Sequence, residues 1–285
     1  MSDTSASSSS PLTEQGQRIP VGVDPTRASI ARVYDAFLNG KDNYEIDRAV
    51  LAQVQERMPT ARELGVENRA FLIRVCRFLA TQTDINQFLD CGSGLPTAEN
   101  VHQVVQRMNP ESEIVYIDND PVVLAHGRAL LEENEHCHFV AEDIFEPKAV
   151  LSNEEVNRRI DFSRPLAFMQ MGTLHHFNGP RRAPAEIMRE YIAALPSGSY
   201  VAISHFLDPE NEYSTTAREA EEAFLHSPMG SGTFRTRIEL LELFDGLELV
   251  EPGLVRCADW WSDGPRLKPL SAAQRCIAGA VGRKP

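Results

Sequence analysis

The chain has 285 residues, 42% hydrophobic and 24% charged, which is globular composition with enough material for one large domain or two small ones. Its 41 acids outnumber 28 Lys and Arg, for a net charge of −13, whereas a protein built to neutralise phosphates leans the other way, so no nucleic-acid partner is expected. Five scattered cysteines (Cys76, Cys91, Cys137, Cys257, Cys276) are odd in number and form no CxxC pair, which argues against a disulfide framework and against bound metal.

The N-terminus, MSDTSASSSS, lacks the basic and apolar regions of a secretory signal, and no run approaches the ~20 apolar residues that span a bilayer. The expectation is a cytoplasmic protein with no membrane partner and with residues 1–20 as a disordered tail. In DPTRASIARVYDAFLNG, Asp24 can cap a helix and Pro25 fits its first position; Ile30, Val33, Tyr34, Phe37 and Leu38 recur at helical spacing and Gly40 ends the run. Further helices are expected from about Ile46 and over 60–80, so residues 21–83 read as a helical cap. From residue 84 to the end, strands and helices alternate. Strands are expected at Gln87–Asp90, Ile114–Ile117, Cys137–Val140, Pro165–Met171 and Tyr200–Ser204. Helices are expected at Thr97–Met108, Pro121–Leu131, 147–159 (with Ser152 and Glu155 spaced as a capping box) and Pro184–Ala194. Such units imply a mostly parallel sheet covered on both faces. Leu247–Val255 and Arg275–Val281 have no clear helix between them and suggest an antiparallel close.

The stretch FLDCGSGLPT ends a strand in an acid, Asp90, and runs into Gly92 and Gly94. In open parallel sheets ligands bind at the carboxyl ends of strands, and the glycines let backbone approach a ligand closely. A dinucleotide fingerprint needs a third glycine where Thr97 stands, and seldom has such an acid. A ligand with a cationic amino group suits Asp90, and S-adenosylmethionine carries one. Asp118, after the next strand, can accept from both ribose hydroxyls, and Asp143, after the third, lies where an adenine amino group would fall. Asp120 precedes Pro121 and reads as a helix cap.

DCGSGLPT, VYIDNDP, AEDIF and LHHF together resemble class I S-adenosylmethionine-dependent methyltransferases. SIARVYDAFLNGKDNYEIDRA, GSGLPTAENVH, VYIDNDPVVLAH and AGAVGRKP resemble, more narrowly, the S-adenosyl methyltransferase family once described as a domain of unknown function, over residues 24–285. The resemblance implies an α/β, Rossmann-like seven-stranded sheet with an antiparallel last strand. It also implies S-adenosylmethionine as cofactor, held by Asp90, Gly92, Gly94, Asp118, Asn119, Asp143 and Ile144. Pro96 departs from the broad class but is shared by the narrower family.

The substrate side is less legible, and a small molecule is the expected partner. His175 and His176 could remove a proton from an alcohol or amine, or one could pack while the other faces solvent. GKDNYEIDR follows the first helix, and Tyr34, Lys41, Asn43 and Tyr44 are expected to cover the cofactor; Tyr34 is a third catalytic candidate. Residues 205–224 could form a substrate cover or a solvated helix, and Trp260 and Trp261 could floor a pocket or fill the core. Two rival functions stay open. A non-catalytic nucleoside-binding protein would carry the same acids and glycines, and an NAD-dependent dehydrogenase is disfavoured by Asp90 and Thr97.

Overall fold

The computed structural model describes residues 23–96, 99–131 and 134–285. The expected tail, and Thr97 at the expected helix start, lie outside them. The first helix, α1 (Ile30–Phe37), is capped by Ser29, whose hydroxyl accepts from the Arg32 N–H. Asp24 was expected in that role. Its carboxylate instead accepts from the Thr26 N–H at 2.8 Å and closes a local turn, while the helix itself starts only at Ile30. α2 (Glu45–Arg57) is welded to α1 by Asp47. This buried carboxylate pairs with Arg32 at 2.7 Å and accepts from the Tyr44 and Ser29 N–H groups at 2.9 and 3.1 Å. Such a pair adds geometric specificity, and removing one partner strands a buried charge. α3 (Arg62–Gln82) buries Leu64, Asn68, Phe71, Leu72, Val75 and Leu79 across the sheet.

The alternating part follows in chain order: β1 (Gln87–Cys91), α4 (Val101–Val105), β2 (Glu113–Asp118), α5 (Pro121–Leu131), β3 (Cys137–Ala141), α6 (Pro147–Ser152), α7 (Glu154–Arg159), β4 (Ala167–Met171), α8 (Ala183–Ala194), β5 (Tyr200–Phe206), α9 (Ser214–Leu225), α10 (Arg237–Leu241), β6 (Glu248–Leu249), β7 (Val255–Arg256), α11 (Ala272–Arg275) and β8 (Ile277–Arg283). The sheet order is β3-β2-β1-β4-β5-β8-β6, with β7 also on β8; β1 to β5 are parallel and β8 runs antiparallel to β5. The α/β sheet and its antiparallel close are as expected. There are eight strands rather than seven because Pro252 and Gly253 interrupt Leu247–Val255, leaving β6 and β7 as two-residue strands on β8. Proline has no N–H for a ladder. α6 and α7 are separate because Asn153, not Ser152, caps the second: its side-chain oxygen accepts from the Glu155 N–H at 2.9 Å, while the Ser152 hydroxyl donates to Lys148 O.

Strand alternation divides the core between two faces. Phe88, Met169, Ala202 and Val281 face α1–α3 and α9 and share one core with Phe37, Leu64 and Phe71. Leu89, Phe168, Val201 and Ala280 face α6–α8 and pack with Tyr191 and Met188. α3 lies so close to β8 that a side chain at Gly279 would meet the Phe71 ring at 2.6 Å. Trp260 is fully buried edge-on to Phe71 and Phe78, at 5.5 and 5.6 Å, so it fills the core beneath α3. The acidic α9 turns Ala217, Ala220, Ala223 and Phe224 inward and meets α2, where Gln53 Nε2 donates to Ala223 O at 3.3 Å. Among the described residues no helix is long and apolar enough to cross a membrane.

Candidate active site

Parallel strands point their carboxyl ends one way, and α1 and α3 roof that edge. Between roof and edge lies a cavity of about 490 Å³, within the range of small-molecule sites. Of the residues singled out from sequence, Tyr34, Asp90, Gly92, Gly94, Asp118, Asn119, Asp143, Ile144, His175 and His176 all line it. They come from α1, from the carboxyl ends of β1 and β2, and from the segments that follow β1 to β4.

Asp90, the penultimate residue of β1, has only 4% of its surface exposed. No hydrogen-bond partner of its carboxylate is seen among the described residues. Burial lifts its carboxyl to about 7, Arg69 opposes the rise and Asp118 adds to it. The following loop turns through Gly92 (φ 80°) and Gly94 (φ 65°), backbone that a side chain would strain. A side chain at Gly92 would strike Thr173 and meet Ile144 at 3.1 Å, whereas at Gly94 it would meet nothing within 4 Å. Gly92 therefore packs the loop down, and Gly94 faces open space.

Asp118 holds this loop from β2. One of its oxygens accepts from the Gly94 N–H and the other from the Asp120 N–H, both at 2.9 Å. Burial nevertheless raises its carboxyl to about 6. A carboxylate offers about four acceptor positions, so two remain for a ligand. Asp120 caps α5 by accepting from the Val122 N–H at 2.8 Å, and also accepts from the Ser29 hydroxyl, tying the roof to the sheet edge. Asp143 bends its own loop by accepting from the Phe145 N–H at 2.8 Å.

The roof differs from the expectation. Lys41 is exposed, and neither it nor Asn43 or Tyr44 lines the cavity. The Asn43 amide is engaged by Asp35 at 2.7 Å and by Gly40 O, while Arg48 donates to its oxygen. The Tyr44 ring lies against the Arg32 guanidinium, 4.9 Å from its centroid. These polar groups organise the α1–α2 turn. Tyr34 does reach the cavity, but its hydroxyl donates to Gly65 O at 3.2 Å and accepts from Asn68 Nδ2 at 3.0 Å. Burial raises it above the usual phenol range, so its proton is committed to a structural bond.

The strongest polar group missed in the sequence is Arg69 on α3. It is the one Lys or Arg lining the cavity among the described residues. Its guanidinium lies 6.0 Å from the Tyr34 ring centroid, and its Nε is buried without a partner. Asn68, one residue earlier, donates to Tyr34 and to Met171 O and accepts from the Ser204 hydroxyl. The signal was Asn68 falling four residues after Leu64 on the buried face, a polar residue where the helical period calls for an apolar one.

Burial disfavours the charged form of both histidines. Burial pushes His176 down to about 3 and His175 well below the ordinary range. The His176 Nδ1 lies 3.0 Å from the Ser231 hydroxyl, and His175 stacks on Phe206 with centroids 3.6 Å apart. Desolvation favours the neutral form of both rings, and both line the cavity.

A parallel five-strand run closed by an antiparallel strand, with successive acids at the ends of β1, β2 and β3, defines the nucleoside-cofactor-binding α/β proteins of the class I methyltransferase kind. Residues 16–285 match the S-adenosyl methyltransferase family, and the chain belongs to that family. A crystal structure of a candidate methyltransferase from Thermobifida fusca YX is 39% identical and superposes with a TM-score of 0.87, covering 93% of this chain and 98% of that one. A DUF574 family protein from Streptomyces avermitilis MA-4680 is 33% identical, with a TM-score of 0.85 over 92% of this chain and 99% of its own. No curated protein matches the sequence. The protein is an S-adenosylmethionine-dependent methyltransferase.

The cavity fits that cofactor on its own features: an unpartnered buried carboxylate, an orphaned guanidinium nitrogen and a glycine turned to open space. Asp118→Ala is expected to weaken S-adenosylhomocysteine binding tenfold or more, since hydrogen bonds to a charged acceptor contribute about 1.5–3 kcal/mol each. Calorimetry on the folded variant checks this; an unchanged dissociation constant would make Asp118 a loop-bracing residue only.

Proposed function

We propose that the protein transfers a methyl group from S-adenosylmethionine to a small-molecule acceptor, with Asp90 holding the cofactor's ammonium group and Arg69 its carboxylate. Asp118 accepts from the ribose hydroxyls, and Asn119, Asp143 and Ile144 border the adenine. The observation that carries this reading is Asp90, a buried acid beside a cation and two glycines. An ammonium and a carboxylate on one carbon match the Asp90–Arg69 pair in sign, and both residues line the one cavity. When bound, the cofactor supplies a methyl group on a sulfonium, an electrophile that needs no metal. The chain's own part is to orient the acceptor and exclude water, which is where methyl transfer gains most. Five free, buried cysteines fit a reducing compartment, and we place the enzyme in the cytoplasm.

Titration calorimetry tests the cofactor site. S-adenosylmethionine and S-adenosylhomocysteine should bind, and NAD should bind negligibly because Asp90 opposes a pyrophosphate. Affinity for both should rise from pH 5 to pH 8, as Asp90 and Asp118 lose the protons that burial makes them hold up to about 7 and about 6. Tight NAD binding without response to the other two ligands would end this reading.

A further inference from the structure

The cavity has two chemically different ends. Among the described residues, the acids that line it, Asp90, Asp118, Asp120, Glu142 and Asp143, all lie at the carboxyl ends of β1, β2 and β3 or in the loops that follow them. Under β4, β5 and α9 the lining carries no carboxylate, lysine or arginine among the described residues. There the walls are Phe37 from α1, Phe206 from β5, Phe224 from α9, Met229 and the His175 ring.

These rings are nearly parallel. His175 lies 13° from Phe206, Phe206 lies 24° from Phe224, and Phe224 lies 19° from Phe37. The rings already stack on one another, with centroids 3.6, 5.4 and 6.1 Å apart, so a guest meets them as an aromatic wall, and an aromatic guest gains from ring contact beyond the area it buries. Met229 is partly exposed on a loop that turns at Gly230 (φ 68°), where a side chain would meet nothing within 4 Å. A flexible thioether there gives the slot an adaptable edge. One polar demand remains, because His175 Nδ1 is buried without a partner. A hydroxyl can both donate and accept, so it satisfies that nitrogen in either tautomer. A protonated amine would find no counter-charge at this end, and burying one unpaired is costly.

We propose that this end of the cavity takes a flat, uncharged aromatic acceptor bearing a hydroxyl group, packed against the aromatic wall with its hydroxyl toward the histidines. The proposal rests on the cofactor reading above. In the transfer, an oxygen lone pair forms the new O–CH3 bond as the carbon–sulfur bond breaks, the bonding pair stays on sulfur to give the neutral thioether, and the hydroxyl proton leaves to solvent past the neutral imidazoles.

The probe is 2-naphthol, compared with its saturated counterpart decahydro-2-naphthol and with the cation 2-naphthylmethylamine. Each is titrated into the full chain with and without S-adenosylhomocysteine. The aromatic alcohol should bind about tenfold tighter than either comparator. Phe206→Leu should remove the preference over the saturated alcohol while leaving S-adenosylhomocysteine affinity within about twofold of wild type. Because that side chain is buried and the variant could misfold, Met229→Asp on the partly exposed loop is the second arm: it should reverse the order so that the amine binds tighter than 2-naphthol. Equal binding of the saturated alcohol, tighter binding of the amine to the wild type, or no 2-naphthol binding in a protein that takes up S-adenosylhomocysteine would overturn the proposal. Failure of S-adenosylhomocysteine itself to bind would overturn the cofactor reading instead, and the titrations without it would still judge the slot.

Discussion

Asp90→Asn should yield a protein that is more stable than the wild type at pH 8 and that has lost most of its affinity for S-adenosylhomocysteine. The sign follows from the direction of the shift. Asp90 is held near 7 in the fold, against 3.8 for an ordinary carboxyl, so the folded state keeps a proton that the unfolded chain has released. Stability from this group is full below about pH 4 and declines as pH rises toward 7. At ~1.4 kcal/mol per pH unit, the ionised carboxylate costs the free fold up to about 4 kcal/mol at pH 8. An amide of the same shape carries no charge to desolvate, so a gain of about 2 kcal/mol is expected after its own hydrogen-bonding needs are met. Urea unfolding at pH 8 and pH 5 measures this, with the advantage shrinking at the lower pH. Calorimetry on the same variant should show the lost ligand affinity. A variant no more stable at pH 8, or one that binds as the wild type does, would mean that Asp90 is not a strained acid awaiting a cation.

Arg69→Met should cost about a hundredfold in S-adenosylhomocysteine affinity. Truncating one partner of a buried, hydrogen-bonded charge pair costs about 2–5 kcal/mol, and methionine keeps much of the length of the side chain while removing the guanidinium. The same change has a second signature. Arg69 opposes the rise of the Asp90 carboxyl, so its loss should push that group higher still, and the pH at which ligand affinity reaches half its maximum should move upward. A merely structural role for Arg69 would change stability without moving this midpoint. Unaltered affinity together with an unaltered pH profile would remove Arg69 from the cofactor site. The paired experiment matters because the Arg69 Nε has no partner in the described structure, an arrangement that a protein tolerates where a ligand completes it.

Much of the site was written in local sequence. Asp90, Gly92 and Gly94 were legible because a strand end, an acid and two glycines are adjacent in the chain, and the parallel arrangement follows from the alternation of elements. Asp118 and Asp143 were legible for the same reason, each being the acid that follows a buried strand. The antiparallel close was legible in the missing crossover helix before β8. The S-adenosyl methyltransferase resemblance rested on contiguous stretches of this kind.

What the tertiary structure alone decided lies where the chain meets itself at long range. Arg69 and Asn68 sit mid-helix, and only the packing of α3 across the sheet, with Phe71 against Gly279, turns them toward β1 and β4. Lys41, Asn43 and Tyr44 resembled ligand-facing groups because polar residues in a specific pattern read the same whether they serve a cofactor or a turn. The assignment of Asn43 and Tyr44 to the α1–α2 turn came from Asp35, Arg32 and Arg48, which the fold brings to them, while Lys41 is exposed. The histidines were visible as a pair, but their burial was not, since it comes from Phe206 of β5 and from Ser231 and leaves no trace in LHHF. The aromatic slot gathers Phe37, Phe206, Phe224 and Met229 from four separate segments. Sequence periodicity reports which residues leave water; which of them face one another across a cavity is fixed by how the helices cross the sheet.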